Sequence, residues 1–181
     1  MIDIRVVASG SRANCYRVSD GRTALLLECG MPFAQLRQAL RFRLSQVSGC
    51  LLSHEHGDHS KAAARLLAAG VDVYTSAGTA EALGLGGHRL HTIRPRTWFE
   101  LGSWRVLPFE TVHDAREPLG FLLASGADRV LFATDTAYIR YRFPGLTHIM
   151  VEANYHLPVL KPTWPPAWWT VRSSAECSDL T

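Results

Sequence analysis

The stretch SHEHGDHS at residues 53–60 constrains this chain more than any other part of its sequence. It places three histidines and two acids within six residues, between the apolar runs GCLLS and AAARLLAAG. The first run predicts a short buried strand, and the second predicts a helix that ends at Gly70. An apolar core accepts so many polar side chains only with a metal ion or dense hydrogen bonding. The alternative is a chance cluster or a pH sensor at the surface.

The spacing of these side chains suits metal ligation. His54 and His56 stand at positions i and i+2 beyond the predicted strand, so both imidazoles can face one ion. Asp58 and His59 follow where the helix begins and can reach a second ion nearby. Imidazole and carboxylate are the ligands of zinc and similar cations. Gly57 within the turn lets the backbone bring these side chains together.

A pair of metal ions needs more ligands than one short stretch supplies, and two later positions offer them. His113 follows the predicted strand WRVLPFE, and Asp135 follows the predicted strand RVLFA. A carboxylate at such a position can bridge two ions. His88 and His91, in GGHRLHTI, are interpreted as ordinary surface or core histidines.

The order of elements favours an α/β fold. The chain of 181 residues is 47% hydrophobic, which suits one globular domain with a substantial core. Three predicted strands come first, and helices and strands then alternate until a run of strands begins near residue 90. This order fits a sandwich of sheets flanked by helices.

Charge and cysteine usage give weaker indications. Nineteen Lys and Arg residues against sixteen Asp and Glu residues are only mildly compatible with a polyanionic partner. The four cysteines form no CxxC pair, and we expect reduced, buried thiols. No apolar run approaches ~20 residues, so no membrane span is predicted. The first residues read as a strand and not as a signal peptide, so we expect a cytoplasmic protein.

The end of the chain has a different character. The segment from Leu157 onwards holds four of the nine prolines and three of the five tryptophans, without a helical or strand period. We therefore expect a main domain over residues 1–157 and an atypical tail over residues 158–181. The tryptophans Trp164, Trp168 and Trp169 leave a homodimer interface possible.

The motif SHEHGDHS resembles the HxHxDH signature of the metallo-β-lactamase fold superfamily. The blocks ASGSRANCY, LLLECG, HDAREPLGF, FATDTAY and VEANY are similar to those of a small cytoplasmic branch. That branch includes bacterial DNA-exonuclease-like hydrolases and relatives encoded by phages and prophages. The resemblance runs from about Ile4 to Tyr155. It implies an αββα metallo-β-lactamase sandwich with its site at the sheet edges and a C-terminal part that is atypical or truncated.

The resemblance also implies a site for two divalent metal ions, zinc in the first place and manganese as the alternative. The implied ligands are His54, His56 and His113 for the first ion, Asp58 and His59 for the second, and Asp135 between them. A metal-bridged hydroxide would attack the substrate, and Asp58 would orient it and carry its proton. The candidates for supporting these ligands are Ser53, Asp114, Glu117, Thr134 and Thr136.

Two departures from the family pattern matter. Glu28 stands where relatives often carry an aspartate, which keeps a carboxylate but lengthens it by one methylene. The superfamily also supplies a late histidine to the second ion, and this chain has only His148 and His156 after Asp135. His148 reads as a strand residue, and His156 follows too early. We therefore expect weaker binding of the second ion.

The function implied by the resemblance is metal-dependent hydrolysis, with a phosphodiesterase or nuclease as the first hypothesis. Four arginines near the predicted site loops can meet phosphates, and they are Arg12, Arg116, Arg140 and Arg142. A small-molecule hydrolase that acts on a thioester, a lactone or a cyclic nucleotide remains open, because the fold and metals serve several reactions. A degenerate protein that holds one metal ion is the third hypothesis.

Overall fold

Two β-sheets stack face to face, and helices cover the outer face of the first. The computed structural model describes residues 1–152 and the backbone of residues 178–179. The first sheet contains six strands in sequence order, and the second contains five. A separate two-stranded pairing joins residues 141–142 to residues 178–179. The predicted α/β sandwich of sheets is therefore confirmed.

The first sheet combines an antiparallel and a parallel part. Its strands are β1 (Asp3–Ala8), β2 (Cys15–Ser19), β3 (Ala24–Leu27), β4 (Val47–Leu51), β5 (Val73–Thr75) and β6 (Leu90–Thr92). The pairs β1–β2 and β2–β3 are antiparallel, and the pairs from β3 to β6 are parallel. Parallel neighbours need a crossover, and helices supply it here. The helices are α1 (Phe33–Ala39), α2 (Gly57–Ser60), α3 (Ala63–Ala68) and α4 (Ala77–Ala82).

The second sheet is mostly antiparallel. Its strands are β7 (Phe99–Leu101), β8 (Trp104–Glu110), β9 (Leu119–Ser125), β10 (Asp128–Ala133) and β12 (His148–Val151), and β10 pairs with β12 in parallel. The short strand β11 (Tyr141–Arg142) pairs with β13 (Ser178–Asp179). The sequence did not indicate β11 or the 3₁₀ turn at Leu44–Gln46. It did not indicate β13 in the tail either, and the remaining strands and helices agree with those predicted.

The core follows the alternation of side chains along the buried strands. Leu25 and Leu27 of β3 point between the sheets, where they pack with Trp104 and Phe121. Leu26 points the other way, into the cluster formed with the helices. A strand that is buried on both faces reads as a continuous apolar run, as LLL does here. Full burial of each leucine stabilises the fold by about 2 kcal/mol.

Three further expectations concern the cysteines, the end of the chain and membrane-spanning segments. Cys15, Cys29 and Cys50 are free, buried thiols, as predicted, and Cys177 lies outside the described residues. The boundary proposed at residues 157–158 and the tail tryptophans also lie outside them. Among the described residues, no helix is long and apolar enough to cross a membrane.

The Asp20 carboxylate links the two sheets. It accepts hydrogen bonds from the hydroxyls of Ser103 and Ser125, at 2.5 and 2.6 Å, and from the backbone N–H groups of Arg22 and Thr23. Partial burial alone would raise the pKa of Asp20, but these hydrogen bonds outweigh it and hold the pKa well below its usual value. The ionised carboxylate therefore stabilises the folded state.

Replacing Asp20 by asparagine should lower the free energy of unfolding at pH 7 by about 2 kcal/mol, because charged hydrogen bonds are lost. A depressed carboxyl pKa gives stability that is present above the unfolded pKa of about 4 and is lost as pH falls through the folded pKa. The difference between wild type and Asp20→Asn should therefore shrink below about pH 4. Urea unfolding across this pH range measures it, with Asp128→Asn as the control. A constant difference at all pH values would contradict this role.

Candidate metal centre

The structure brings together all six residues predicted as metal ligands. Because β3, β4 and β5 are parallel, their carboxyl ends meet at one edge of the first sheet. His54 and His56 lie in the loop after β4, and Asp58 and His59 lie in α2. The other two follow strands of the second sheet and are His113 after β8 and Asp135 after β10. We call these six residues the candidate metal centre.

The first ligand group consists of His54, His56, His113 and Asp135. One ligand atom from each lies within 4.8 Å of the others. Nδ1 of His56 is 3.1 Å from Nε2 of His113, and Oδ2 of Asp135 is 3.4 Å from Nε2 of His54. Three imidazoles and one carboxylate that converge in this way can hold a divalent cation.

The second ligand group consists of Asp58, His59 and Asp135, again with ligand atoms within 4.8 Å. Nε2 of His59 is 2.8 Å from Oδ2 of Asp135 and 3.3 Å from Oδ2 of Asp58. Asp135 therefore belongs to both groups. Its backbone has a φ of +46°, a conformation that is uncommon outside glycine and often marks a constrained functional position.

His54 shows that these residues fit a cation. Its Nδ1 lies 2.8 Å from the hydroxyl oxygen of Ser53, which fixes one side of the ring. Its Nε2 is buried and has no hydrogen-bond partner among the described residues. A buried polar atom left in this state costs about 1–3 kcal/mol, which a bound cation would offset. The geometry of the cluster therefore suggests divalent metal binding.

The electrostatics of the two buried histidines differ. Burial lowers the pKa of His54 to about 2, and the nearby His59, His113 and His56 add to this effect. Its ring is therefore neutral and can offer a lone pair. Burial also disfavours charge on His59, but the carboxylates of Glu28, Asp135 and Asp58 outweigh it and raise the pKa of His59.

Glu28 lies beneath the second ligand group. It is fully buried, and its Oε1 is 3.8 Å from Nδ1 of His59. Its Oε2 accepts a hydrogen bond of 3.3 Å from the backbone N–H of Ser53. The backbone of Glu28 has a φ of +63° at the end of β3. The longer side chain therefore still reaches His59, as expected for an acid that supports the site.

Asp114 holds the ring of His113, and Thr136 joins the loops that carry His113 and Asp135. The Asp114 carboxylate lies 3.0 Å from Nδ1 of His113, which leaves Nε2 to face the first ligand group. The Thr136 hydroxyl accepts a hydrogen bond from the N–H of Val112 and donates one to the carbonyl of Tyr138. Thr136 is therefore a tie between the two loops and more than a surface hydroxyl.

The loop with His113 is also anchored to the first half of the chain. Glu55 accepts a hydrogen bond of 2.7 Å from the backbone N–H of Arg116. Glu117 accepts one of 2.6 Å from the N–H of Gly78 in α4. Glu117 therefore joins its loop to α4 and does more than cap its own turn. Glu55 holds the loop of His113, a role that the sequence analysis missed.

Asn14 is the second residue that the sequence analysis missed. Its side-chain nitrogen lies 3.2 Å from Nε2 of His59 and 3.4 Å from Oδ2 of Asp58. Its backbone N–H donates a hydrogen bond of 2.7 Å to the carbonyl of Asp58. The quoted block ASGSRANCY contains it, but only the fold shows that Asn14 contacts the second ligand group.

The close approach of three segments at this point requires a glycine. A Cβ built on Gly30 would lie 1.6 Å from the carbonyl oxygen of Asp58 and 2.6 Å from the backbone nitrogen of His59. A backbone hydrogen bond also joins these two segments, since the N–H of Cys29 donates to the carbonyl of His59 at 2.7 Å. Backbone of α2 therefore lies directly on the segment after β3.

Replacing Gly30 by alanine should displace α2, because backbone atoms fill the space that a methyl group needs. We expect a loss of at least 2 kcal/mol in the free energy of unfolding and a loss of metal binding at the second ligand group. Thermal unfolding and metal titration measure both. Gly86→Ala is the control, since nothing lies within 4 Å of its added Cβ and the residue lies outside the candidate metal centre. Normal metal binding by Gly30→Ala would refute this packing argument.

The remaining predicted site residues lie as follows. His148 begins β12, as predicted, and its Nδ1 is 2.9 Å from the Thr147 hydroxyl. His156 lies outside the described residues. The Arg116 guanidinium pairs with Glu81, and Nε of Arg140 donates to the Tyr138 hydroxyl. Since His148 is a strand residue and His156 lies outside the described residues, the second ligand group has three members among the residues that the structure describes.

A cleft of about 720 Å³ opens beside the candidate metal centre. It is lined by His113, Asp114, Asp135, Thr136 and neighbouring residues. Both predicted ligands in this lining are partly exposed, with 19% of the His113 side chain and 20% of the Asp135 side chain accessible. A substrate in this cleft would therefore contact the candidate metal centre directly.

Comparison with known proteins places this chain in a family. A family model described as the β-lactamase superfamily domain matches residues 23–160. The chain therefore belongs to the β-lactamase superfamily, and the resemblance inferred from the SHEHGDHS motif is confirmed.

Individual relatives agree with this assignment. The chain is 29% identical to the exodeoxyribonuclease YycJ of Bacillus anthracis, over 86% of this chain and 64% of that protein. It thus spans a little under two thirds of the length of this relative. Among solved structures, the metallo-β-lactamase fold protein YhfI of Bacillus subtilis has a TM-score of 0.61 at 18% identity, over 72% of this chain and 61% of that one. A metallo-β-lactamase of Cronobacter sakazakii has a TM-score of 0.63 at 15% identity, over 79% and 61%.

Proposed function

We propose that this chain is a metal-dependent phosphodiesterase that acts on nucleic acid. The observation that carries the proposal is the pair of ligand groups that share Asp135 at the floor of an open cleft. The similarity to an exodeoxyribonuclease supports a nucleic-acid substrate. We further propose His54, His56, His113 and Asp135 as ligands of one ion and Asp58, His59 and Asp135 as ligands of another.

These residues would hold divalent ions, which would supply Lewis-acid chemistry that lowers the pKa of a bound water and polarises a phosphoryl oxygen. The chain itself supplies a proton acceptor in Asp58, whose side chain is 31% exposed and thus reaches both His59 and solvent. The Asn14 side-chain nitrogen contacts Oδ2 of Asp58 and orients this carboxylate. Asp114 and Ser53 fix the rings of His113 and His54, so that the reacting geometry is preorganised.

One observation favours a second candidate, a protein that holds a single ion. The first ligand group has four members, whereas the second has three among residues 1–152. The first group should therefore bind more tightly. Such a protein would keep the His54 side of the centre occupied and would show little turnover.

The test is hydrolysis of a labelled single-stranded DNA oligonucleotide and of bis-p-nitrophenyl phosphate, with zinc or manganese supplied after chelation. We expect Asp58→Asn to lower kcat by about 10²-fold or more, because a positioned proton acceptor contributes that much. Asp128→Asn is the matched control. It makes the same change at the other end of β10 from Asp135.

Three results would decide against the proposal. Hydrolysis that survives complete chelation would refute the metal dependence. Turnover of a thioester or a lactone without turnover of either phosphodiester would favour a small-molecule hydrolase. One tightly bound ion without any turnover would favour the single-ion protein.

A further inference from the structure

A pocket lined by arginines lies on the first sheet, away from the candidate metal centre. It has a volume of about 180 Å³. Its lining contains four arginines, Arg5, Arg17, Arg41 and Arg43, and no carboxylate. We call it the arginine pocket. So many like charges around one small space repel one another, and a bound anion would relieve this repulsion.

Two separate parts of the chain build the arginine pocket. Arg5 of β1 and Arg17 of β2 are directly opposite each other in the antiparallel pair. Arg41 and Arg43 come from the segment between α1 and β4. Arg17 is 2.7 Å from the exposed Asp3 carboxylate, and the other three arginines have no ion-pair partner within residues 1–152. Their charge is therefore available to a ligand.

The backbone conformation of Arg41 independently indicates that its side chain has a role other than packing. The N–H of Arg41 donates to the carbonyl of Gln38, and the N–H of Phe42 donates to the carbonyl of Arg37. These bonds form a Schellman motif at the end of α1, and its left-handed residue is usually glycine. Here Arg41 takes that position with a φ of +51°. Its side chain is exposed, so packing does not explain an arginine there.

The distance between the arginine pocket and the candidate metal centre indicates how long a shared ligand must be. Val47, at the start of β4, lines the pocket, whereas His54 follows the end of the same strand. Seven residues of extended chain span on the order of 20 Å. A small substrate in the cleft cannot reach both places, but a nucleic-acid strand of several nucleotides can. Guanidinium groups bind phosphate oxygens in a bidentate manner, which suits the backbone of such a strand.

We propose that the arginine pocket binds a backbone phosphate of the nucleic-acid strand whose cleaved end lies at the candidate metal centre. This inference rests on the proposed function, since it names a contact for the same substrate. The pocket acts on binding of the polymer and takes no part in the hydrolytic step.

The test is binding of a labelled 12-nucleotide single-stranded DNA by fluorescence anisotropy, without added metal, over a range of salt concentrations. We expect Arg41→Gln/Arg43→Gln to raise Kd about tenfold and to reduce the slope of log K against log salt by about one or two, because phosphate contacts are lost. Hydrolysis of bis-p-nitrophenyl phosphate should not change. The matched control is Arg22→Gln/Arg94→Gln, which removes the same charge from exposed positions outside the pocket.

Arg41→Gly separates binding from folding. Glycine suits the left-handed position, so this variant should keep or raise Tm while it still weakens DNA binding. An unchanged Kd and salt slope in both pocket variants would overturn the inference, as would an equal loss in the Arg22/Arg94 control. If the wild type hydrolyses DNA and the pocket variants bind it with an unchanged Kd, the inference about the arginine pocket is wrong and the proposed function stands. If the pocket variants bind DNA more weakly but the wild type does not hydrolyse it with metal supplied, the arginine pocket is a nucleic-acid contact and the proposed function is wrong.

Discussion

The carboxylate of Asp135 is the contact on which the rest of the site depends. Its Oδ2 lies 2.8 Å from His59, 3.4 Å from His54 and 3.7 Å from His113. Two of these rings, His54 and His59, come from residues 53–60 and are almost completely buried, and the third comes from the loop after β8. Placing imidazoles so close together in a dry environment is unfavourable unless charge compensates for it. The shared carboxylate supplies part of that charge, and bound cations would supply the rest.

The fold provides this arrangement through strand direction and through ties between loops. Parallel strands β3 and β4 end at one edge, so Glu28 meets the backbone of Ser53 there, next to His54. The second sheet brings His113 and Asp135 to the same edge, and Thr136 joins their loops. The resulting geometry depends on many single hydrogen bonds between segments that are distant in sequence.

The sequence could predict what is encoded locally. The apolar runs indicated the strands. The dense stretch at residues 53–60 indicated four of the six ligand residues, because side chains so close in sequence lie close together in almost any fold, and the ends of two later predicted strands indicated His113 and Asp135. The sequence could not predict Asn14, Glu55 or the need for Gly30. Asn14 contacts Asp58 across 44 positions, and Glu55 reaches Arg116 across 61. Such contacts exist only after the strands have assembled and the sheets have packed, and an ordinary Asn or Glu gives no local signal of them.

The central claim is that one carboxylate serves two metal ions, and titration of the chelator-treated protein with zinc in a calorimeter tests it most directly. The wild type is expected to bind two ions per chain. Weaker binding of both ions is expected in Asp135→Asn, and normal binding is expected in Asp128→Asn. A single ion in the wild type, or an Asp135→Asn variant that binds two ions with unchanged affinity, would contradict this claim.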